Sequence, residues 1–178
     1  SISITQPTAL LFSETHTNAL CNGNNNGSIN ITLSGGTAPY SYNWGGGVTT
    51  EDRTSLLAGT YTVTATDNKG CTITGSATIT QPSIISITET VTDATCAPGN
   101  NGAISLAVSG GSSPYTYNWG GGITTPNRNT LFAGTYHITV TDNTGCTVTK
   151  AISVSQLGTG MTLSTVNTAV SCNGGNNG

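Results

Sequence analysis

Residues 58–72 read Ala-Gly-Thr-Tyr-Thr-Val-Thr-Ala-Thr-Asp-Asn-Lys-Gly-Cys-Thr, and residues 133–147 read Ala-Gly-Thr-Tyr-His-Ile-Thr-Val-Thr-Asp-Asn-Thr-Gly-Cys-Thr. In the first stretch Tyr61, Val63 and Ala65 alternate with Thr62, Thr64 and Thr66. In the second, Tyr136, Ile138 and Val140 occupy the same places. A period of two marks a β-strand with one buried face and one face toward water. Each strand runs into Asp-Asn-x-Gly, which predicts a type I turn closed by a left-handed glycine and leading into an antiparallel partner.

The two stretches lie 75 positions apart, and the same step relates Trp44 to Trp119, Tyr40 to Tyr115, Cys71 to Cys146 and Cys21 to Cys96. Aligning residues 8–82 with 83–157 gives 37 identities in 75 positions. Ile29, Ile31 and Leu33 alternate with polar neighbours, as do Ile104, Leu106 and Val108. Tyr40, Tyr42 and Trp44 fall on one face of a third strand, and Tyr115, Tyr117 and Trp119 repeat them as the candidate core aromatics. Six or seven short strands per unit, with turn signals at this frequency, point to tandem immunoglobulin-like β-sandwiches of about 75 residues. The boundaries read 1–7 as the last strand of a preceding repeat, 8–82 and 83–157 as two repeats, and 158–178 as the start of a further one. The expectation is a segment of a longer array. Gln81-Pro82 holds the junction extended and no Gly/Ser tether is present, so the sandwiches are expected to stack end to end as a stiff rod. Each should advance it by roughly 35–40 Å.

Charged residues are 6% of the chain, against about a quarter in an ordinary soluble domain. Four Lys plus Arg give no basic footprint, which argues against nucleic acid as a partner. No apolar run approaches the roughly 18 residues of a membrane span. Regular Tyr, Trp and β-branched residues argue against disorder.

Five cysteines in a charge-poor β protein point to disulfides and an extracytoplasmic location. The candidates are Cys21, Cys71, Cys96 and Cys146. Spacing suggests Cys21–Cys71 and Cys96–Cys146, each within a repeat. Strand direction suggests Cys21–Cys146 instead, a staple between repeats. Both remain open, since a bridge needs Cα atoms within roughly 7 Å.

The motifs Cys-x-Gly-x-x-x-Gly-Ser-Ile, Ser-Gly-Gly-Thr-x-Pro-Tyr-x-Tyr-x-Trp and Ala-Gly-Thr-Tyr-Thr-Val-Thr-x-Thr-Asp-Asn-x-Gly-Cys-Thr resemble the SprB repeats of Bacteroidota cell-surface and gliding-motility adhesins. The resemblance spans nearly the whole chain and departs from the pattern at Ala97-Pro98. It implies type IX secretion, display at the cell surface, and a structural or adhesive stalk role. It carries no catalytic residues.

The residues agree. His16 aligns with Val91 and His137 with Thr62, so neither histidine repeats. There is no Ser/His/Asp order, no carboxylate pair and no metal-ligand spacing such as Cys-x-x-Cys. No lysine repeats either, which leaves a Lys–Asn isopeptide unsupported. No cofactor, no metal and no catalytic residue is therefore expected. Asp67 and Asp142 read as turn formers, with calcium as the sharper alternative. Arg53 and Arg128 read as ion-pair partners, with the repeated Asp as a candidate mate. Gly45–Gly47 and Gly120–Gly122 read as flexible connections, or as part of an aromatic-and-glycine sugar platform. Asn22–Asn26 and Asn100-Asn101 read as solvated loops or glycan contacts. The expected partners are neighbouring repeats of the chain, with surface polysaccharide or another surface protein as further candidates. The competing functions are a self-assembling filament subunit and a carbohydrate-binding module of a secreted enzyme.

Overall fold

The computed structural model describes residues 8–95 and 99–158. The expectations for 1–7, Cys96 with Ala97-Pro98, and 159–178 with Cys172 lie outside the described residues. Among the described residues there is no helix; strands are joined by turns, bends and irregular loops.

The first repeat has six strands: β1 (Leu11–Thr17), β2 (Gly27–Ser34), β3 (Ser41–Asn43), β4 (Arg53–Leu56), β5 (Gly59–Thr66) and β6 (Thr72–Ile79). They form two three-stranded sheets, ordered β1-β2-β4 and β3-β5-β6. All the pairs in them are antiparallel. Strands one, two and four on one sheet and three, five and six on the other is the Greek-key distribution of an immunoglobulin-like sandwich that lacks its D strand. The topology itself therefore establishes the fold class.

Both sheets contribute to one core. Ile29 and Ile31 come from β2, Leu56 from β4, Val63 from β5, and Ala77 and Ile79 from β6. Phe12, Leu33, Tyr42, Trp44 and Tyr61 pack against them, partly buried. The alternation at 61–66 delivers Val63 and Ala65 inward at 0% exposure, and leaves the threonines outward. Two glycines make room at opposite ends of β2. A side chain on Gly27 would lie 2.7 Å from the Ile79 methyl and 2.9 Å from the Leu56 carbonyl. Gly35, at φ +75°, lets its backbone approach the Ala9 carbonyl so closely that any Cβ would overlap it.

The second repeat repeats the order with β7 (Ser86–Thr92), β9 (Gly102–Ser109), β10 (Thr116–Asn118), β11 (Arg128–Leu131), β12 (Gly134–Thr141) and β13 (Thr147–Val154). Its sheets run β11-β9-β7 and β10-β12-β13. A short parallel pair, β8 (Ala94–Thr95) with β14 (Gln156–Leu157), joins its first and last segments. In the first repeat the same place carries the bond from Ala19 N–H to the Thr80 carbonyl at 2.9 Å, which Ala94 N–H and the Ser155 carbonyl repeat in the second.

The chain divides by contact into two compact units, 1–88 with 107–125 and 137–150, and 89–106 with 126–136 and 151–178. The division runs through the second repeat, so the units do not coincide with the repeats read from the sequence.

Candidate functional site

Each repeat places one buried aspartate at the turn between its last two strands. Asp67 and Asp142 are both 5% exposed. Gly70 takes φ +85° and its N–H reaches the Asp67 carbonyl at 3.0 Å, which closes the turn. The Asp67 side chain then gathers the surrounding backbone. Its Oδ1 accepts from Lys69 N–H at 2.9 Å and Cys71 N–H at 2.8 Å, and its Oδ2 accepts from Thr37 N–H at 2.9 Å. Asp142 does the same with Thr144, Cys146 and Ser112, each at 2.9 Å. The Thr144 hydroxyl adds a donor at 2.8 Å.

Burial alone would raise both carboxyls, but these donated N–H groups overcome it and hold each below the ordinary carboxylate range. Both aspartates are turn organisers whose oxygens are taken by backbone donors. Among the described residues no group of three His, Cys, Asp or Glu could hold a metal.

The cradle presents the next side chain outward, and in both repeats that is a cysteine. Cys146 is bonded to Cys21, with Cα atoms 5.7 Å apart. Cys71 carries a free, exposed thiol. The bond joins the loop of the first repeat to the turn of the second, which overturns the pairings Cys21–Cys71 and Cys96–Cys146. The reason is strand length. Cys21 follows Ala19, which is bonded to Thr80 at the far end of β6, whereas Cys71 precedes the near end of that strand. Eight residues of strand span about 26 Å, far beyond the reach of a disulfide.

The Cys21 loop is folded by its own polar groups. Asn26 Oδ1 accepts Leu20 N–H at 3.1 Å, and Asn101 Oδ1 accepts Thr95 N–H at 2.9 Å. Asn22 donates to the Pro82 carbonyl at 3.0 Å, and Gly23 N–H donates to the Gln81 side chain at 2.8 Å. Asn18 and Asp93 cap the ends of β6 and β13 by accepting Thr80 and Ser155 N–H, each at 2.8 Å. Asn22, Asn26 and Asn101 thus serve the loop's own architecture. The repetition of Asn26 and Asn101 at a step of 75 was the available signal.

The arginines differ from expectation. The Arg53 guanidinium lies 5.5 Å from the Trp44 ring centre and 5.1 Å from that of Tyr61. Arg128 lies 5.0 Å from the Tyr136 ring. The repeated aspartates are not their mates, because the turns already use those carboxylates. A flat guanidinium over an aromatic face is favourable.

The glycine triplets form closed turns. Trp44 N–H bonds the Val48 carbonyl at 3.0 Å and Val48 N–H returns to Gly45 at 3.1 Å. All three intervening glycines take positive φ, at 81°, 58° and 81°, and the second repeat has 82°, 57° and 79°. Only glycine adopts three such angles in succession without strain. Trp44 Nε1 donates to the Thr50 carbonyl at 2.8 Å and Trp119 Nε1 to Thr125 at 2.9 Å, so the far end of each loop is tied to the ring.

The other aromatics also carry bonds. Tyr40 and Tyr115 donate to the Gly35 and Gly110 carbonyls, each at 2.6 Å. Tyr42 donates to Glu51 at 2.7 Å, and burial with that bond pushes its phenol well above the ordinary range. Tyr61 and Tyr136 each donate to a carbonyl four residues upstream, Leu57 and Phe132, at 2.9 Å. A tyrosine near the start of the penultimate strand bonding back over the corner is a known device of immunoglobulin-like domains. Tyr117 is half-buried on β10. His16 is exposed and pairs with Glu14 at 3.0 Å, and His137 is exposed on β12.

No curated protein matches the chain. Among solved structures, the N-terminal eight Ig domains of Down Syndrome Cell Adhesion Molecule isoform 1.30.30 align over 85% of this chain and 25% of that one, at 12% identity and TM-score 0.43. The amphioxus IgVJ-C2 molecule aligns over 85% of this chain and 98% of its own, at 13% identity and TM-score 0.33. The family model of the SprB repeat matches residues 13–49 and 88–124, each running from within or beside the first strand to just past the glycine turn. Two segments of the chain, 75 positions apart, therefore match the SprB repeat.

Proposed function

We propose that the chain is a load-bearing stalk segment of a secreted repeat protein displayed at the cell surface, holding an adhesive part away from the cell. The observation that carries this reading is the Cys21–Cys146 bond, which spans a sequence separation of 125. Tension applied outside the two cysteines passes through the sulfurs and bypasses the intervening residues. Most of both repeats is then shielded from extension. A disulfide also fits an oxidising, extracellular setting.

SprB repeats occur in cell-surface proteins, which supports surface display. Type IX secretion and a place in a gliding adhesin follow from that family and belong to the same proposal. So does the division of the chain into repeats at 8–82 and 83–157. The partners proposed are neighbouring repeats. No helix of the described residues is long and apolar enough to cross a membrane.

The aromatic sites favour a structural over a sugar-binding role. Arg53 lies over the Trp44 ring and Trp119 is buried to 9% exposure, so neither offers an open stacking face. A glycan array probed with the oxidised chain tests this, and no saturable binding is expected. Saturable binding that is lost in Trp44→Ala would contradict the stalk reading in favour of a carbohydrate-binding module.

A further inference from the structure

The Asp142 turn is a seat for a cysteine loop. Cys146 is bonded to Cys21, and the Leu20 carbonyl lies 3.4 Å from both Cys146 Sγ and the Thr144 hydroxyl. A cleft of about 430 Å³ surrounds the bond, lined in part by Asn22, Ser83, Ile85, Gly111 and Asp142.

The first repeat builds the same seat. Thr8, Leu10, Gly36, Asp67, Gly70 and Cys71 stand where Ser83, Ile85, Gly111, Asp142, Gly145 and Cys146 stand. The correspondence extends to distances. Gly36 N–H bonds the Thr8 carbonyl at 2.8 Å, and Gly111 N–H bonds Ser83 at 2.8 Å. A Cβ on Gly36 would lie 2.8 Å from Leu10 and 2.9 Å from Asp67 Oδ2. On Gly111 it would lie 2.7 Å from Ile85 and 2.8 Å from Asp142 Oδ2. Asn68 N–H bonds Thr37 at 2.8 Å and Asn143 N–H bonds Ser112 at 2.9 Å. One seat holds a bonded cysteine and the other an exposed thiol.

We infer that the Asp67 turn docks the cysteine loop of another repeat, and that Cys71 forms a disulfide to it. The ligand is a Cys-x-x-x-Asn-Asn-Gly segment, the pattern of 21–27 that recurs in sequence at 96–102 and 172–178. This inference rests on the disulfide and on the likeness of the two turns, and it stands whether or not the chain is a stalk. The observed bond runs from a loop to the turn of the following repeat. Within residues 1–178 the other loops of this pattern, 96–102 and 172–178, come after Cys71 in sequence, so among copies of this chain alone they would serve it from a second copy, arranged head to tail.

The test uses the intact chain and the acetylated peptide of residues 171–178, supplied as its mixed disulfide with glutathione. The Cys71 thiolate attacks the peptide sulfur, the Cys71–peptide bond forms, and glutathione leaves as its thiolate, with no net oxidation. The control peptide carries Asn173→Ala and Asn177→Ala, which remove the counterparts of Asn22 and Asn26. The exchange constant at Cys71 should be about tenfold larger for the native peptide, as one or two net hydrogen bonds would give. Equal constants would reduce Cys71 to an ordinary surface thiol and overturn the inference, as would no exchange at all. A second arm mixes isotopically light and heavy chains in a glutathione redox buffer, where glutathione disulfide takes up the two electrons. Light–heavy peptides joining Cys71 to Cys96 or Cys172 are expected, with Cys21–Cys146 still within one chain. A symmetric Cys71–Cys71 link as the main product would contradict the proposal.

Discussion

Phe12 and Gly75 face each other in the first repeat, and Ile87 and Lys150 hold the same two positions in the second. A Cβ on Gly75 would overlap the Phe12 ring. In the second repeat the smaller Ile87 leaves room for a long side chain, and Lys150 Nζ donates to the Ile87 carbonyl at 3.0 Å. Volume has moved from one strand to its neighbour while the backbone plan is unchanged. The repeats tolerate such exchange where side chains meet side chains. They do not vary at the Asp67 and Asp142 turns or at the Tyr61 and Tyr136 corners, where a side chain ties down backbone. The disulfide separates them in a third way, since one of two like cysteines is bonded and the other free.

The largest expected effect breaks the likeness at the cysteines. Cys21→Ser or Cys146→Ser should lower stability by about 2–5 kcal/mol in denaturant unfolding. Cys71→Ser in the monomer should change it by less than about 0.5 kcal/mol, as surface substitutions do. Equal costs at Cys71 and Cys146 would contradict the assigned pairing.

The exchange of volume can be forced. Gly75→Lys alone should cost about 1–3 kcal/mol through overpacking against Phe12. Adding Phe12→Ile should recover much of it, so a double-mutant cycle should show coupling of roughly 0.5–3 kcal/mol. Strict additivity would show that the two positions do not share one space.

The corners sharpen the comparison by their sameness. Tyr61→Phe and Tyr136→Phe should each cost about 1 kcal/mol, the net worth of one hydrogen bond. A large difference between them would mean that one corner bond is not made in solution.

Acid acts on both turns together. Each aspartate has a folded pKa below its unfolded value, so its stabilisation is complete above the unfolded pKa of about 3.9 and is lost as pH falls toward the folded one. Thermal unfolding should be insensitive to pH above about 5 and weaken below about 4. Asp67→Asn with Asp142→Asn should flatten that acid limb, and an unchanged limb would point to other carboxylates.

Much of the fold was legible because it rests on periods and turns. The alternation at 61–66 and 136–141, the Asp-Asn-x-Gly turns and the step of 75 gave the strand plan and the sandwich. The disulfide was legible only as one of two pairings, because spacing in sequence does not state which end of a strand a cysteine meets. Charge alone suggests a carboxylate mate for Arg53, while the geometry of neighbouring strands offers it two rings. The glycine triplets read as connections because composition does not reveal the turn closed by the bonds between Trp44, Gly45 and Val48. The tyrosine corners went unread because Tyr61 also satisfies the simpler pattern of an inward-facing strand residue.

The central claim is that tension crosses this chain through the Cys21–Cys146 bond. Single-molecule pulling from the two ends, with and without reductant, measures it directly. The separation of 125 residues predicts that reduction adds about 410–450 Å to the fully extended length, at 3.3–3.6 Å per residue. A gain of only about 170–180 Å would correspond to Cys21–Cys71, 50 residues apart by their numbers. That result, or no gain at all, would contradict the account.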